Sequence, residues 1–574
     1  MVKKLFSLYR NLVHKEINSL NQAALFLGLF SLLSQFVGFL RDRLLAHIFG
    51  AGAELDVYYS AFRIPDFIFV SVASVVSLSV LVPFILERDK QGLGELKRFI
   101  NSIFTYFSVM ILAVAGVAFY FMPQLSKWLF TGASESFLGQ VIFISRILLL
   151  SPILLGFSNL LGSLTQAYNR FIVYAFAPVL YNAGIIVGII LFHKEWGILG
   201  AVFGVIIGAV LHILIQLPSV AHLGVVPKLT FRPNWREFVR VMQISLPRTL
   251  TLAMSAIVFI FLTAMATRLT SGSVSILNFS NNLQTISLSL IGVSYSLAAF
   301  PTLTRKFQEN NIKAFIEQMQ ISSRFIIFWS LPLTALLIVL RAQIVRTLLG
   351  SGMFDWQATR LTAAALALFS ISALFQSMLL LWMRGFYSAG HTKKPFYINL
   401  FSSAILIAIT YWLIACFNNY PIFAYFILAI LKVGDLAGGE MLMIPLGFSL
   451  GTILNGLLLW LAFELEFKGY TRGILRTLFA GFASAVIMGF VAHWGLELFD
   501  GILDLDTLMG VFLQGFLAGL LAILAGVLLL ILLKSEELAS VWDSLRAKFW
   551  KSRVIATDPE IVYSSNLPTA YGPH

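Results

Sequence analysis

The sequence predicts an all-α polytopic membrane protein: fourteen transmembrane helices, arranged as two parallel six-helix repeats plus two C-terminal helices. Composition, the spacing of apolar runs and the placement of basic residues predict it. Of 574 residues, 59% are hydrophobic and 12% charged, and the mean hydropathy is +0.87. Soluble domains carry about 25% charged residues, so the solvent of this chain is lipid. Runs of about 20 apolar residues cross a bilayer. They fall near 24–47, 57–86, 100–122, 138–168, 171–193, 198–220, 245–267, 274–302, 325–348, 361–386, 396–416, 441–463, 477–496 and 507–533. The run 421–433 is too short to span and reads as an outer-side insertion or re-entrant piece.

The ladder of fourteen places 27 of the 40 Lys+Arg in the two tails and six connections of one side, and 5 in the seven loops opposite. By the positive-inside rule that puts both termini in the cytoplasm. The formal net charge of +13 is therefore topology rather than a nucleic-acid surface. The single cysteine, Cys416, excludes a disulfide framework and cysteine-rich metal sites. No cleavable leader is read at the basic start, Lys3 to Lys15, because no small-residue cleavage pattern follows it.

The first two six-helix blocks read as copies. Gly52 and Gly272 stand 220 apart, Pro83 and Pro301 218 apart, and Tyr168 and Tyr387 219 apart. The Pro178/Asn182 and Pro395/Asn399 pairs share one spacing, 217 residues apart. An even number of helices per repeat keeps orientation, so the repeats are parallel, related about the membrane normal. The expected organisation is a cytoplasmic segment 1–22, a first lobe 23–222, a second lobe 223–463, an added pair 464–533, and a C-terminal segment 534–574. That last segment reads as an interfacial amphipathic helix from Glu536 to Arg553, then disorder from Ala556 to His574. Gly184/Gly188, Gly204/Gly208 and Gly515/Gly519 are small-residue pairs that let helices pack closely. Pro152, Pro178 and Pro332 are expected to kink their spans.

Charges inside spans cost several kcal/mol unless they meet a partner or water, so they mark candidate function. The first block holds Gln35, Arg41, Asp42, Asp56, Arg63 and Asp66, whereas the matching stretch of the second holds only Asn278, Asn281, Asn282 and Gln284. Gln35 and Asp42 are two helical turns apart and share a face, with Arg41 bordering it. Arginine forks suit a phosphate or pyrophosphate. Arg41 and Arg63 are thus substrate-binding candidates, with Gln35 and Asn282 beside them and Asp42 and Asp56 as counter-ions or gates. The competing reading is ion pairs that only fix helices. No phosphate-binding loop and no H-E-x-x-H motif occur, so the chain reads as a transporter rather than an enzyme, with no cofactor.

Gly38-Phe39-Leu40-Arg41-Asp42, Ile48-Phe49-Gly50-Ala51-Gly52, Asp56, Ala61-Phe62-Arg63-Ile64-Pro65 and Val82-Pro83 resemble the opening of the MurJ/MviN lipid II flippases. Tyr168-Asn169-Arg170-Phe171, Gln216-Leu217-Pro218, Ser271-Gly272-Ser273-Val274 and Gly385-Phe386-Tyr387-Ser388 extend the resemblance over roughly residues 20–535. It implies two six-helix lobes around a V-shaped cavity, as in the multidrug/oligosaccharidyl-lipid/polysaccharide exporters, and a groove at the last two helices for an undecaprenyl tail. It implies transfer of lipid-linked peptidoglycan precursor (lipid II) from the inner to the outer leaflet of the bacterial plasma membrane by alternating access. The partners implied are undecaprenyl-pyrophosphate-linked glycan, membrane lipid and the cell-wall synthesis machinery. Arg41 matches a cavity arginine of the family, and Asp42 and Asp56 its acidic neighbours. Gln35, Phe69, Val70 and Asn282 stand where members carry arginine. Sodium sites in some members use acids absent here; Asn399 and Ser403 are the candidate ligands this chain offers, and the coupling ion stays unassigned. The alternatives are a flippase for another lipid-linked glycan, a drug exporter, or a non-transporting membrane scaffold.

Overall fold

Every apolar run read from the sequence is helical in the computed structural model, which describes residues 20–76 and 78–550. The first nineteen positions and the tail read as disordered, 556–574, lie outside the described residues. The first lobe contains α1 (Leu20–Phe49), α2 (Ala53–Ala61), α3 (Arg63–Val72), α4 (Leu78–Lys90), α5 (Leu93–Leu129) and α6 (Glu135–Leu148). It continues with α7 (Leu150–Ala167), α8 (Phe171–Trp196), α9 (Leu199–Leu214) and α10 (Leu217–His222). The second lobe contains α11 (Trp235–Ala266), α12 (Ser273–Ser287), α13 (Ser294–Gln308), α14 (Ile312–Val339), α15 (Arg341–Leu348) and α16 (Trp356–Ser370). It continues with α17 (Ala373–Ser388), α18 (Lys393–Asn419), α19 (Pro421–Leu431) and α20 (Met443–Glu466). Then come α21 (Leu475–Asp500), α22 (Leu508–Leu532) and α23 (Glu536–Trp550). By length and apolarity ten of the described helical segments qualify as spans, or eleven if α16 and α17 count as one. The expected count of fourteen is thus not reached on that measure. The segments at α1, at α2–α4 and at α11 are not among the ten; α1, α2, α3 and α11 help to line the cavity described below.

Several expected single spans are interrupted, and two of the breaks have a visible reason. The run 57–86 splits at Phe62, where Pro65 lacks the N–H that would bond Ala61. Ser145 Oγ donates to the Ala61 carbonyl instead, at 3.0 Å. The run 361–386 bends by 42° between α16 and α17. There Ser449 Oγ, from α20, donates to the Leu368 carbonyl at 2.6 Å, and a hydroxyl inserted into the ladder kinks a helix. Pro178 and Pro332 lie inside uninterrupted helices, and Pro152 in the first turn of α7.

The copied blocks repeat their helix ends as well as their sequence landmarks. Asn169 and Gly390 both take positive φ, 57° and 76°, directly after the copied tyrosine helices. In each, the next residue's N–H bonds back five positions, Arg170 to Thr165 and His391 to Phe386. This is one terminal motif used twice.

Small residues set how closely α8 packs on α9 in the first lobe. A Cβ on Gly184 would meet Gly208 Cα at 2.4 Å, and one on Gly188 would meet Gly204 Cα at 2.2 Å. The α8 and α9 backbones therefore touch, and these glycines are used within the chain. Gly188→Ala is expected to lower stability by about 1–3 kcal/mol through overpacking. Gly116→Ala, with nothing within 4 Å of its Cβ, should stay within about 0.5 kcal/mol. Thermal unfolding of the two variants in detergent compares them; equal midpoints would contradict this packing.

Helix α11 joins the lobes, packing on α3 and α5 of the first and on α18 of the second. The pair α21–α22 packs on itself and on α14, outside both blocks, as expected of an addition. The short run after 420 is α19, eleven residues, too short to span, with Ile422 86% and Tyr425 76% exposed. Its following loop is tied to α16 by the Arg360–Asp435 ion pair. The amphipathic segment is α23, whose Leu538 and Val541 pack towards Phe328 and Leu530.

Candidate functional site

Between the lobes lies a cavity of about 690 Å³, walled by α1–α3, α7 and α8 on one side and by α11 and α12 on the other. Arg41, Arg63, Asp66, Phe69, Val70 and Asn282 line it. A smaller opening of about 210 Å³ on the far side of Arg41 is lined by Gln35, Asp42, Asn182 and Asn282. The structure therefore brings together Arg41, Asp42, Gln35, Arg63 and Asn282, separated by up to 247 positions in the chain.

The Arg41 fork is held from two directions. Its Nε and Nη2 donate to Asp42 Oδ1 at 2.9 and 2.7 Å, and its Nη1 to Asn182 Oδ1 at 2.8 Å. Charge-assisted, forked bonds of this kind fix a guanidinium in one orientation. Asp42 is nearly buried and its second oxygen accepts from Asn282 Nδ2 at 3.1 Å, across the cavity. Arg63 crosses the cavity too: Nη2 donates to Asn278 Oδ1 at 2.5 Å and the guanidinium lies 5.8 Å from the Phe259 ring centroid. Its Nε is buried with no hydrogen-bond partner among the described residues.

Asp56 acts at one end of this cavity. Its Oδ2 accepts from Gly272 N at 2.7 Å, and its Oδ1 from Ser275 N at 2.8 Å and Ser275 Oγ at 2.6 Å. A first-lobe carboxylate thus caps the N-terminus of a second-lobe helix, satisfying orphan N–H groups where the dipole favours negative charge. Among the described residues Asp56 hydrogen-bonds no arginine, whereas Asp42 pairs with Arg41.

A single face of α12 receives three of the first-lobe charges. Ser275, Asn278 and Asn282 are three and seven positions apart, one helical stripe, and they meet Asp56, Arg63 and Asp42 respectively. The asymmetry in the sequence, charged in the first block and amide in the second, is the two sides of one interface. Further contacts close the same end. Met353 N donates to His47 O at 2.9 Å and Arg43 Nη1 to Thr347 O at 2.5 Å. Gly50 and Gly352 have φ of 64° and 59°, and a Cβ on Gly50 would meet Met353 O at 2.6 Å. Arg268 reaches both Thr131 and Tyr411. At the opposite end Arg88 pairs with Glu237 at 2.7 Å.

The sequence reading missed Asn182 as a site residue, and with it the aromatic wall of Tyr58, Tyr59 and Tyr181. The signal for Asn182 was its repeated spacing from a proline within an apolar helix. The sodium candidates lie elsewhere. Asn399 Oδ1 accepts from Asn455 Nδ2 at 2.8 Å and its Nδ2 faces Met383 Sδ at 3.0 Å, while Ser403 is half-buried one turn on. Among the described residues no group of three or more His, Cys, Asp or Glu side chains is placed to hold a metal.

Two helical lobes around a polar cavity, with ionised groups of one lobe facing amides of the other, define a polytopic exporter-type transporter. The fold matches an inward-facing multidrug MATE transporter of the MOP superfamily with a TM-score of 0.62 at 15% identity, over 76% of this chain and 96% of that one. It matches lipid II flippase MurJ in an inward closed conformation with a TM-score of 0.69 at 22% identity, over 91% of this chain and all of that one. The family profile described as lipid II flippase MurJ covers residues 45–509, and the chain belongs to that family. The lipid II flippase MurJ of Burkholderia cenocepacia is 25% identical over 500 residues, 84% of this chain and 91% of the relative. A probable lipid II flippase of Thermotoga maritima is 25% identical over 379 residues, 66% of this chain and 76% of the relative. The chain is thus a multi-pass protein of the bacterial inner membrane and a transporter, not an enzyme.

Proposed function

We propose that this chain flips lipid II from the inner to the outer leaflet, with its lobes rocking about the cavity and Arg41 and Arg63 engaging the pyrophosphate. The observation that carries the reading is the oriented, hydrogen-bonded Arg41 fork on the wall of the inter-lobe cavity. A guanidinium held this way is pre-organised for a bidentate phosphate contact away from bulk water. The distribution of basic residues supports cytoplasmic termini, which makes the Asp56 end the outer one. On that orientation Asp56 and the Met353–His47 contact latch the outer gate. An apolar crevice of about 540 Å³ supports the reading of α21 as part of a prenyl-tail groove. It is walled by Ile474, Leu478, Phe479 and Phe482 on the α21 side and by Trp382 and Trp460 opposite.

Rescue of a bacterium depleted of its own lipid II flippase, at matched membrane expression, tests the reading. Growth with the native chain is expected; lysis despite correct insertion would sink it for that cargo. The neutral Phe69, Val70 and Asn282 in the cavity wall favour, as a second reading, another lipid-linked glycan carried on the same diphosphate. A non-transporting scaffold predicts rescue that survives Arg41→Ala.

A further inference from the structure

One ionised group of the cavity is left over by everything described so far. Asp66 lies in the first turn of α3, lines the main cavity and is exposed to it. Its carboxylate makes no hydrogen bond and no ion pair among the described residues. Arg63, one turn earlier on the same face, is the obvious partner, but it reaches away to Asn278 and Phe259. Arg41 is likewise matched, by Asp42 at 2.7 Å.

The charges of this wall therefore cancel: two arginines, Arg41 and Arg63, stand against two aspartates, Asp42 and Asp66. A diphosphate brings at least two further negative charges, and a free carboxylate on the same wall repels it. Removing an ion from water is tolerated only with a partner. A cavity without net positive charge needs another cation when such a cargo enters.

We propose that Asp66 holds a divalent cation, Mg²⁺ under physiological conditions, that bridges it to the diphosphate of the cargo. The inference rests on the diphosphate reading of the cargo. Mg²⁺ suits the arrangement because it keeps several waters and is bound by one or two carboxylates plus substrate phosphates rather than by an all-protein cage. No such cage exists among the described residues. The ion is accordingly taken up with the cargo and leaves with it. Asn159 on the same side of the cavity and Asn281 on the opposite one offer amide oxygens for the water shell.

The test uses the full chain in lipid nanodiscs with farnesyl diphosphate as probe, its binding measured in Mg²⁺ and in EDTA. Mg²⁺ is expected to tighten binding to the native chain about tenfold or more, and Asp66→Asn to remove most of that gain. Asp66→Asn in EDTA should bind at least as well as the native chain, since repulsion is gone. That outcome also shows that the variant is folded. Equal affinity of the native chain with and without Mg²⁺ would overturn the proposal, and so would a full Mg²⁺ gain retained by Asp66→Asn. Binding that is lost in Arg41→Ala but indifferent to Mg²⁺ removes this inference alone. No diphosphate binding under any condition removes the cargo reading and this inference together.

Discussion

Arg41→Ala abolishes rescue of a flippase-depleted bacterium and lowers diphosphate affinity by about 30-fold or more. Truncating one member of a desolvated, hydrogen-bonded charge pair costs about 2–5 kcal/mol. Part of that loss has nothing to do with cargo: Asp42, nearly buried, is left without its cation. The double variant Arg41→Ala/Asp42→Asn separates the two effects. Neutralising Asp42 should return stability towards native, while diphosphate binding and rescue stay lost. Rescue restored by the double variant would mean that Arg41 serves only to neutralise Asp42.

Asp56→Ala opens the latched end. It removes three hydrogen bonds to the N-terminus of α12, each worth about 1.5–3 kcal/mol when one partner is charged. Because those bonds join lobe to lobe, their loss shifts the balance between conformations more than it unfolds either lobe. The reporter is Ser255→Cys, on the cavity-facing side of α11, in a chain whose sole cysteine has been removed by Cys416→Ala. Asp56→Ala should speed its labelling by an impermeant maleimide outside the cell by about tenfold or more. Unchanged labelling would show that Asp56 is not what holds that end shut.

The sequence reached the helices because a bilayer demands long apolar runs, and reached the lobes because duplicated helix ends leave glycines, prolines and tyrosines in register. It reached Arg41, Asp42 and Asp56 because charge in a span is costly. It named Asn182 and Asn278 but not as partners of the two arginines. An amide in an apolar helix can satisfy itself locally, as Asn278 Nδ2 does on Val274 O at 2.7 Å, so its cost leaves little trace. Their partners also sit far along the chain: Asn182 meets Arg41 only once the first lobe has packed, and Asn278 meets Arg63 only once the lobes face each other. The break at Ile371 was hidden for the same reason: it depends on the Ser449 hydroxyl from another helix, which no local pattern announces. The break at Phe62 carried a local mark in Pro65, which the reading of 57–86 as one span passed over. The lobe-to-lobe bonds of Asp56 were out of reach on similar grounds. A carboxylate near arginines in sequence is no evidence of an ion pair when a helix N-terminus of the other lobe stands closer.

The most direct test of the account is lipid II translocation by the purified chain in liposomes, read as the fraction of labelled cargo that becomes accessible from the far side. Transfer well above protein-free liposomes is expected, with loss of it in Arg41→Ala and altered transfer in Asp56→Ala, whose gate is unlatched. Transfer no faster than in protein-free liposomes, or equally fast with Arg41→Ala, would contradict a flippase working through this cavity.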